Sequence, residues 1–350
     1  MVSPVYRSTY RRGRSCIGLR KSEEVDSLLE AIWISWQKHV RNQSLSAQLG
    51  VELHELLSRR VRPLRYLACT VRTIRLINRR QPRVVFSPNP SIVLTCLLLG
   101  LKRVLGYRFA TDAHYAGIVA ANRNWVIQKV LDFCNCHADL VIVTNEAHQR
   151  YVESIGGSAL ICEDPLPDIE HYAEGVAEQA KKIFCICSFD VDEPYAQMFD
   201  AAAILRAEGY SFWVSGNYTR SGIVREQWPH VNLLGYVSVE EFYLHLAESQ
   251  VVVDLTMQEN CLLCGAYEAM ALDKPLVTSK TIALQKYFTS GTVFVGHESD
   301  AIAEGIRQAY STRIELKQQI EEWKRDVRAT SKDRIERIRS FLNLGKQIVQ

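Results

Sequence analysis

No apolar run in this chain is long enough to cross a bilayer. The longest, such as Ser91 to Leu101, reaches about half of the roughly 20 residues a spanning helix needs, and Lys102-Arg103 closes it. The start, Met1 to Lys21, is rich in Arg but has no apolar stretch of signal-peptide length. A cytoplasmic protein is expected. Catalytic signatures are also scarce. There is no Walker A loop and no Gly-x-Gly-x-x-Gly after a strand, which argues against ATP hydrolysis and nicotinamide chemistry. The Gly-x-Ser-x-Gly of a serine hydrolase is absent. Cys261-Leu-Leu-Cys264 is a lone CxxC, and Cys134-Asn-Cys136-His137 has no partner pair at zinc spacing, so no metal site is expected. Cys69, Cys96, Cys162, Cys185 and Cys187 lie inside apolar runs, where buried, reduced thiols belong.

A large net charge is missing as well, but the total of +3 hides an uneven spread. Residues 1–150 hold 23 Lys plus Arg against 10 Asp plus Glu, while residues 151–350 hold 19 against 29. Most of the surplus precedes residue 84, in Arg7, Arg11, Arg12 and Arg14, then Arg59, Arg60, Arg62 and Arg65, then Arg72, Arg75, Arg79 and Arg80. Such a patch suits an anionic membrane surface or a phosphate-bearing substrate, or is simply a solvated helix face. No RNP, zinc-finger or helix-turn-helix signature accompanies it, so nucleic acid is not expected as a partner.

What is present is a 350-residue chain, 47% hydrophobic, with 28 Gly plus Pro. It is too ordered in composition to be a disordered segment and longer than the roughly 250–300 residues one core sustains. From Ala31 short β-rich runs alternate with helical stretches, the pattern of βαβ units and parallel sheets. Strands are expected at 31–36, 51–56, 83–87, 108–112 and 140–143, with helices at 43–49, 64–79, 91–105, 124–135 and 146–155. After the acidic, proline-bearing stretch 163–168 the alternation resumes. Strands follow at 183–188, 211–215, 231–234, 251–254, 276–278 and 293–295, with helices at 195–208, 239–247, 264–272 and 301–310. A long charged helix or helix pair over 313–342 should bury Ile314, Ile320, Trp323, Val327, Ile335, Ile338 and Phe341. This divides the chain into a basic extension (1–30), two doubly wound Rossmann-like lobes (31–168 and 169–320) and a C-terminal helix (321–350). Two such lobes place ligands at strand C-terminal ends, in the cleft between them.

The most informative stretch runs from Asp254 to Ser279. An apolar strand ends at Asp254, a polar loop carries Glu259 and Asn260, and Leu263, Cys264 and Gly265 lead into a helix containing Glu268. A helix N-terminus offers N–H donors and partial positive charge to a diphosphate, and glycine permits close approach to the backbone. Glu268 is placed to accept hydrogen bonds from a ribose diol, and Glu259 to meet sugar hydroxyls. The plainer reading is that Glu268 only favours the helix dipole.

Glu268-Ala-Met-Ala271 and Lys274-Pro-Leu-Val-Thr-Ser279 resemble the second lobe of the retaining, family-four-like glycosyltransferases of GT-B architecture. The usual pattern has seven residues between its two acids, and here eight separate Glu259 from Glu268. The resemblance extends over most of the chain after residue 31. Asp112-Ala-His114 follows a strand where such enzymes place a histidine near donor sugar and acceptor; His114 either meets a sugar hydroxyl or caps the turn. Gly216 and Asn217 look like the turn beside the nucleotide, and Thr144-Asn-Glu146 with Pro165-Leu-Pro-Asp168 is similar to the first lobe's end and hinge. Many members carry Arg and Lys after the second lobe's first strand, where this chain has the acidic stretch 188–194. Arg220, Lys280 and Arg41 are the remaining cationic candidates, and Glu193-Pro194 reads equally as a helix cap.

The resemblance implies a GT-B transferase that uses a nucleoside diphosphate sugar as co-substrate, with no other cofactor, and a glycan or lipid-linked acceptor. His114, Asp112 and Glu259 would be catalytic. Glu268, Gly265, Cys264, Leu263, Asn260, Asn217, Gly216 and Arg220 would hold the donor. A role in bacterial polysaccharide assembly at the inner face of the cytoplasmic membrane fits the basic half. Two alternatives stay open: a nucleotide-sugar epimerase of the same fold, and a non-catalytic glycosyltransferase-like subunit.

Overall fold

The computed structural model describes residues 31–89, 91–120 and 124–345; the basic extension 1–30 lies outside them. The first lobe is a six-stranded parallel sheet in the order β2-β1-β3-β4-β5-β6. It is built from β1 (Ala31–Ser35), α1 (Val40–Leu49), β2 (Glu52–Glu55), α2 (Arg62–Arg80), β3 (Val84–Asn89), α3 (Ile92–Leu105), β4 (Arg108–Ala113), α4 (Tyr115–Ile118), α5 (Trp125–His137), β5 (Leu140–Val143), α6 (Glu146–Ser154) and β6 (Ala159–Ile161). Strands covered on both faces read as unbroken apolar runs, and every residue of β1 and β5 is buried. Ile32, Ile34 and Val85 turn toward Cys69 and Ile77 of α2, Leu94 and Leu98 of α3 and Cys134 of α5. Trp33 and Phe86 point the other way and stack at 5.4 Å.

The second lobe repeats the plan in the order β12-β11-β10-β7-β8-β9. Its elements are β7 (Lys182–Ile186), α7 (Tyr195–Arg206), β8 (Ser211–Ser215), β9 (Val231–Gly235), α8 (Val239–Glu248), β10 (Val251–Asp254), α9 (Cys264–Ala271), β11 (Leu276–Ser279), α10 (Ile282–Tyr287), β12 (Thr292–Val295) and α11 (Ser299–Ser311). Between the sheets the chain carries a 3-10 turn at Glu170–Ala173.

One unbroken helix, α12 (Arg313–Leu342), ends the described chain. At 1.5 Å per residue it is about 45 Å long, enough to start on the second lobe and finish on the first. Ile320 and Trp323 pack with Phe288 and Tyr267, while Ile335, Ile338 and Leu342 close the sheet face that α1 covers only in part. The buried stripe differs from the expected one: Leu316 and Leu342 are in, whereas Ile314 is 70% and Phe341 40% exposed. At 100° per residue Ile314 stands about 200° from Leu316 and Phe341 about 100° from Leu342, so neither shares the inward face. Cys96 also departs from expectation. It is exposed, because α3 is apolar nearly all round and its composition does not show which side faces the sheet.

Candidate functional site

Strand C-terminal ends of the two sheets face each other. Asn145, following β5, caps α6 with its side-chain oxygen and donates from Nδ2 to the Asn260 carbonyl beyond β10 at 3.0 Å. Beside them Lys286 pairs with Glu146.

In the second lobe β10 ends on buried Asp254, whose carboxylate accepts the Ala266 N–H of α9's first turn. Leu263 at the N-cap supplies no side-chain acceptor, so the amides of Cys264 and Gly265 form the helix mouth. Gly265 is buried. A Cβ there would stand 2.6 Å from an Asp254 carboxylate oxygen and 2.7 Å from Ile186, so the absence of a side chain at Gly265 permits α9 to pack on the strand ends. One turn on, Glu268 is half-buried and accepts from the Tyr243 hydroxyl at 3.2 Å. Burial pushes its carboxyl up to about 7, against the opposing Tyr243 hydrogen bond. Burial, with the nearby charges of Glu193 and Glu268, also holds Asp254 well above the ordinary carboxylate value.

Glu259 does not share this volume. It is exposed, and its carboxylate accepts the Ile282 N–H at 3.2 Å while its carbonyl takes the Ala283 N–H. The longer loop turns it toward the opening of α10, away from Glu268. The acidic stretch after β7 folds on itself rather than capping the next helix. Glu193 accepts the Ser188 and Phe189 amides at 2.9 and 2.7 Å and the Ser188 hydroxyl at 2.6 Å, while Pro194 caps α7 without a side-chain bond. A carboxylate of the chain thus takes the amides that open this loop.

Gly216 and Asn217 follow β8. Gly216 has φ +112°, and a Cβ there would lie 1.7 Å from the Cys187 carbonyl oxygen, so no side chain fits and the backbone conformation excludes one. Gly216→Ala is expected to destabilise the protein by about 3 kcal/mol through overlap and strain, a loss that urea unfolding would measure. Asn217 accepts the Thr219 hydroxyl at 2.6 Å. Arg220, on the 3-10 turn Tyr218–Ser221, and Lys280, after β11, are exposed.

Across the cleft Asp112 has no access to a substrate. It is fully buried and gripped by Arg41, with Nε 2.9 Å and Nη2 2.7 Å from its carboxylate oxygens. Arg41 also reaches Asp164 at 2.8 Å and the Cys162 carbonyl at 2.9 Å, so it is not available to a diphosphate. The pair positions the lobe instead. His114 sits at the start of α4 without capping it. Its Nε2 is 3.5 Å from Asp112, and burial holds the imidazole below its ordinary value despite that carboxylate. It lines a cavity of about 490 Å3 shared with Trp36, His39, Tyr66 and Asn89. Asn42 and Asn89, which also line it, have buried side-chain oxygens without a hydrogen-bond donor among the described residues. The sequence pointed to His114 but not to this cavity, to Tyr243, or to the Arg41 hub. Trp36 and Tyr66 were the available signal, two aromatics beside predicted strand and helix ends.

Residues 180–312, from just before β7 to the end of α11, match the family described as Glycosyl transferases group 1. No curated protein matches the chain by sequence. Among solved structures it is similar to Alr3699/HepE of Anabaena in complex with UDP-glucose, with TM-score 0.66 and 12% identity over 89% of this chain and 99% of that one. It is also similar to a glycosyltransferase from Rickettsia africae, with TM-score 0.63 and 11% identity over 91% and 93%. A third likeness is to UDP-GlcNAc 2-epimerase from Methanocaldococcus jannaschii, with TM-score 0.51 and 10% identity over 79% and 91%. At these identities the likeness is one of fold, and the fold is GT-B.

Proposed function

We propose that the chain is a retaining glycosyltransferase that moves a sugar from a nucleoside diphosphate sugar to a hydroxyl of a glycan or lipid-linked acceptor. The observation that carries this reading is Glu268, a half-buried carboxyl set by Tyr243 one turn inside a helix that follows the C-terminal end of a parallel strand, within the stretch that matches the transferase family. In this reading the Cys264 and Gly265 amides hold the diphosphate and Glu268 takes the ribose diol. The first-lobe cavity receives the acceptor, with neutral His114 meeting its hydroxyls. Chemistry then rests on positioning two substrates and stabilising the departing diphosphate through helix amides, with no metal required. Two neighbours, one solved with UDP-glucose and one named for a UDP-sugar, put UDP first among nucleotides to try.

A second reading, a subunit that keeps the fold without turnover, is favoured by one observation: Glu193 and Asp254 already engage amides beside the diphosphate position. Thermal denaturation with UDP, GDP, ADP and dTDP separates the two. A nucleotide at about 100 times its dissociation constant should add about 2.7 kcal/mol of stability. A flat response to all four would sink the donor site. A response without sugar transfer, with NMR showing a changed free nucleotide sugar, would reassign the protein as an epimerase.

A further inference from the structure

Charge and exposed apolar surface coincide on the outer side of α2. The inner side of this helix, Cys69, Thr73 and Ile77, is buried against the sheet. The outer side presents Leu64, Leu67 and Val71, which are 51%, 61% and 37% exposed, with exposed Arg72, Arg75 and Arg79 on the same face. Spacings of three and four residues put them in one stripe. Val61 extends the stripe at one end, and the adjoining α3 adds exposed Val93 and Val104. Neither α2 nor α3 contains an Asp or Glu, and among the described residues Arg59, Arg60, Arg75, Arg79 and Arg103 have no ion-pair partner.

We propose that the α2–α3 face docks on an anionic lipid bilayer. Arginines draw the face to phosphate headgroups, and Leu64, Leu67 and Val71 enter the boundary beneath them. A nucleic acid would satisfy the charge but leaves the apolar stripe without a role. A second copy would set arginine against arginine, and residues 1–22, with six Lys plus Arg and no acid, are repelled from the face in the same way. The first-lobe cavity is lined by Arg65 and Tyr66 of α2 and Ile92 and Val93 of α3, so it lies beside the docked surface. On the transferase reading, this favours an acceptor whose hydroxyl is carried on a lipid.

The full chain is mixed with vesicles of phosphatidylcholine alone or with about 30% phosphatidylglycerol and sedimented. Binding is expected only with the anionic lipid, and should fall when salt rises from about 0.05 to about 0.5 M. Arg75→Ala with Arg79→Ala should weaken it about 25-fold, at roughly fivefold per arginine, without lowering the melting temperature. Leu64→Ser with Leu67→Ser should weaken it at low salt too. Equal binding to neutral vesicles, no binding, or variants that bind like wild type would overturn the proposal. So would displacement of the vesicles by an oligonucleotide at equal phosphate, or a dimer that Leu67→Ser dissolves. Because no nucleotide is present, failure here leaves the donor site untouched, and an inactive donor site leaves vesicle binding unchanged.

Discussion

Arg41→Met is expected to lower folding stability by about 3–5 kcal/mol at pH 7, the cost of leaving a buried carboxylate without its partner. Arg41 and Asp112 are both buried, so the carboxylate is left out of contact with solvent once the guanidinium is gone. Burial alone would raise the Asp112 carboxyl, but in the native protein the charge and hydrogen bonds of Arg41, together with His114 and His39, outweigh burial and hold it below its ordinary value. A carboxyl lowered on folding contributes stability above its unfolded value, about 3.9, and loses that contribution as pH falls through the folded value. In the variant only His114 and His39 still oppose burial, so Asp112 takes up its proton at higher pH and the penalty eases on acidification. The gap between wild type and variant, read by urea unfolding, should therefore be widest near pH 7 and narrow toward pH 4. Adding Asp112→Leu should recover most of the loss, since an apolar pair replaces an ion pair at little net cost. A single variant as stable as wild type at neutral pH, or a gap indifferent to pH, would show that the hub does not hold the lobe.

This hub is also where the sequence was least readable. Arg41 meets Asp112 and Asp164 across 71 and 123 positions, and only the order of strands in the sheet brings them together. Local pattern cannot report such a contact. Fully buried strands were readable for the opposite reason: Leu140–Val143 and Val251–Asp254 are continuous apolar runs bounded by polar turns, and parallel sheets demand that pattern. The four-residue α4, the six-residue α10 and the three-residue β6 are too short for periodicity to register. The donor side shows both cases within one loop. Glu268 lies inside a helix with a local signature and stands where its helix puts it. Glu259 lies in the loop ahead, where one extra residue and the nearby amides of α10 decided its direction.

Glu268→Gln is expected to act in opposite directions on stability and on nucleotide binding. Burial raises the carboxyl from its ordinary 4.5 to about 7, so the folded protein binds this proton more tightly than the unfolded chain does. Stability is then lost as pH rises from about 4.5 to 7, the penalty being complete above 7 and absent below 4.5. At about 1.4 kcal/mol per unit, and with the group partly open to solvent, that penalty is about 1–3 kcal/mol. Glutamine keeps the shape and cannot ionise, so the variant should match wild type near pH 4 and exceed it by about 1–3 kcal/mol at pH 8. Nucleotide affinity at pH 8 should fall about tenfold to a hundredfold, because a charge-assisted hydrogen bond to the ribose is replaced by a neutral one. Melting curves across pH and calorimetric titration with the responsive nucleotide measure the two effects on the same protein. Gain without loss would mark Glu268 as a buried acid that the donor never touches, and the transferase reading would then lack the group that carries it. Gain together with loss would mean that the fold tolerates an ionised carboxyl in an unfavourable place because a ligand uses it there.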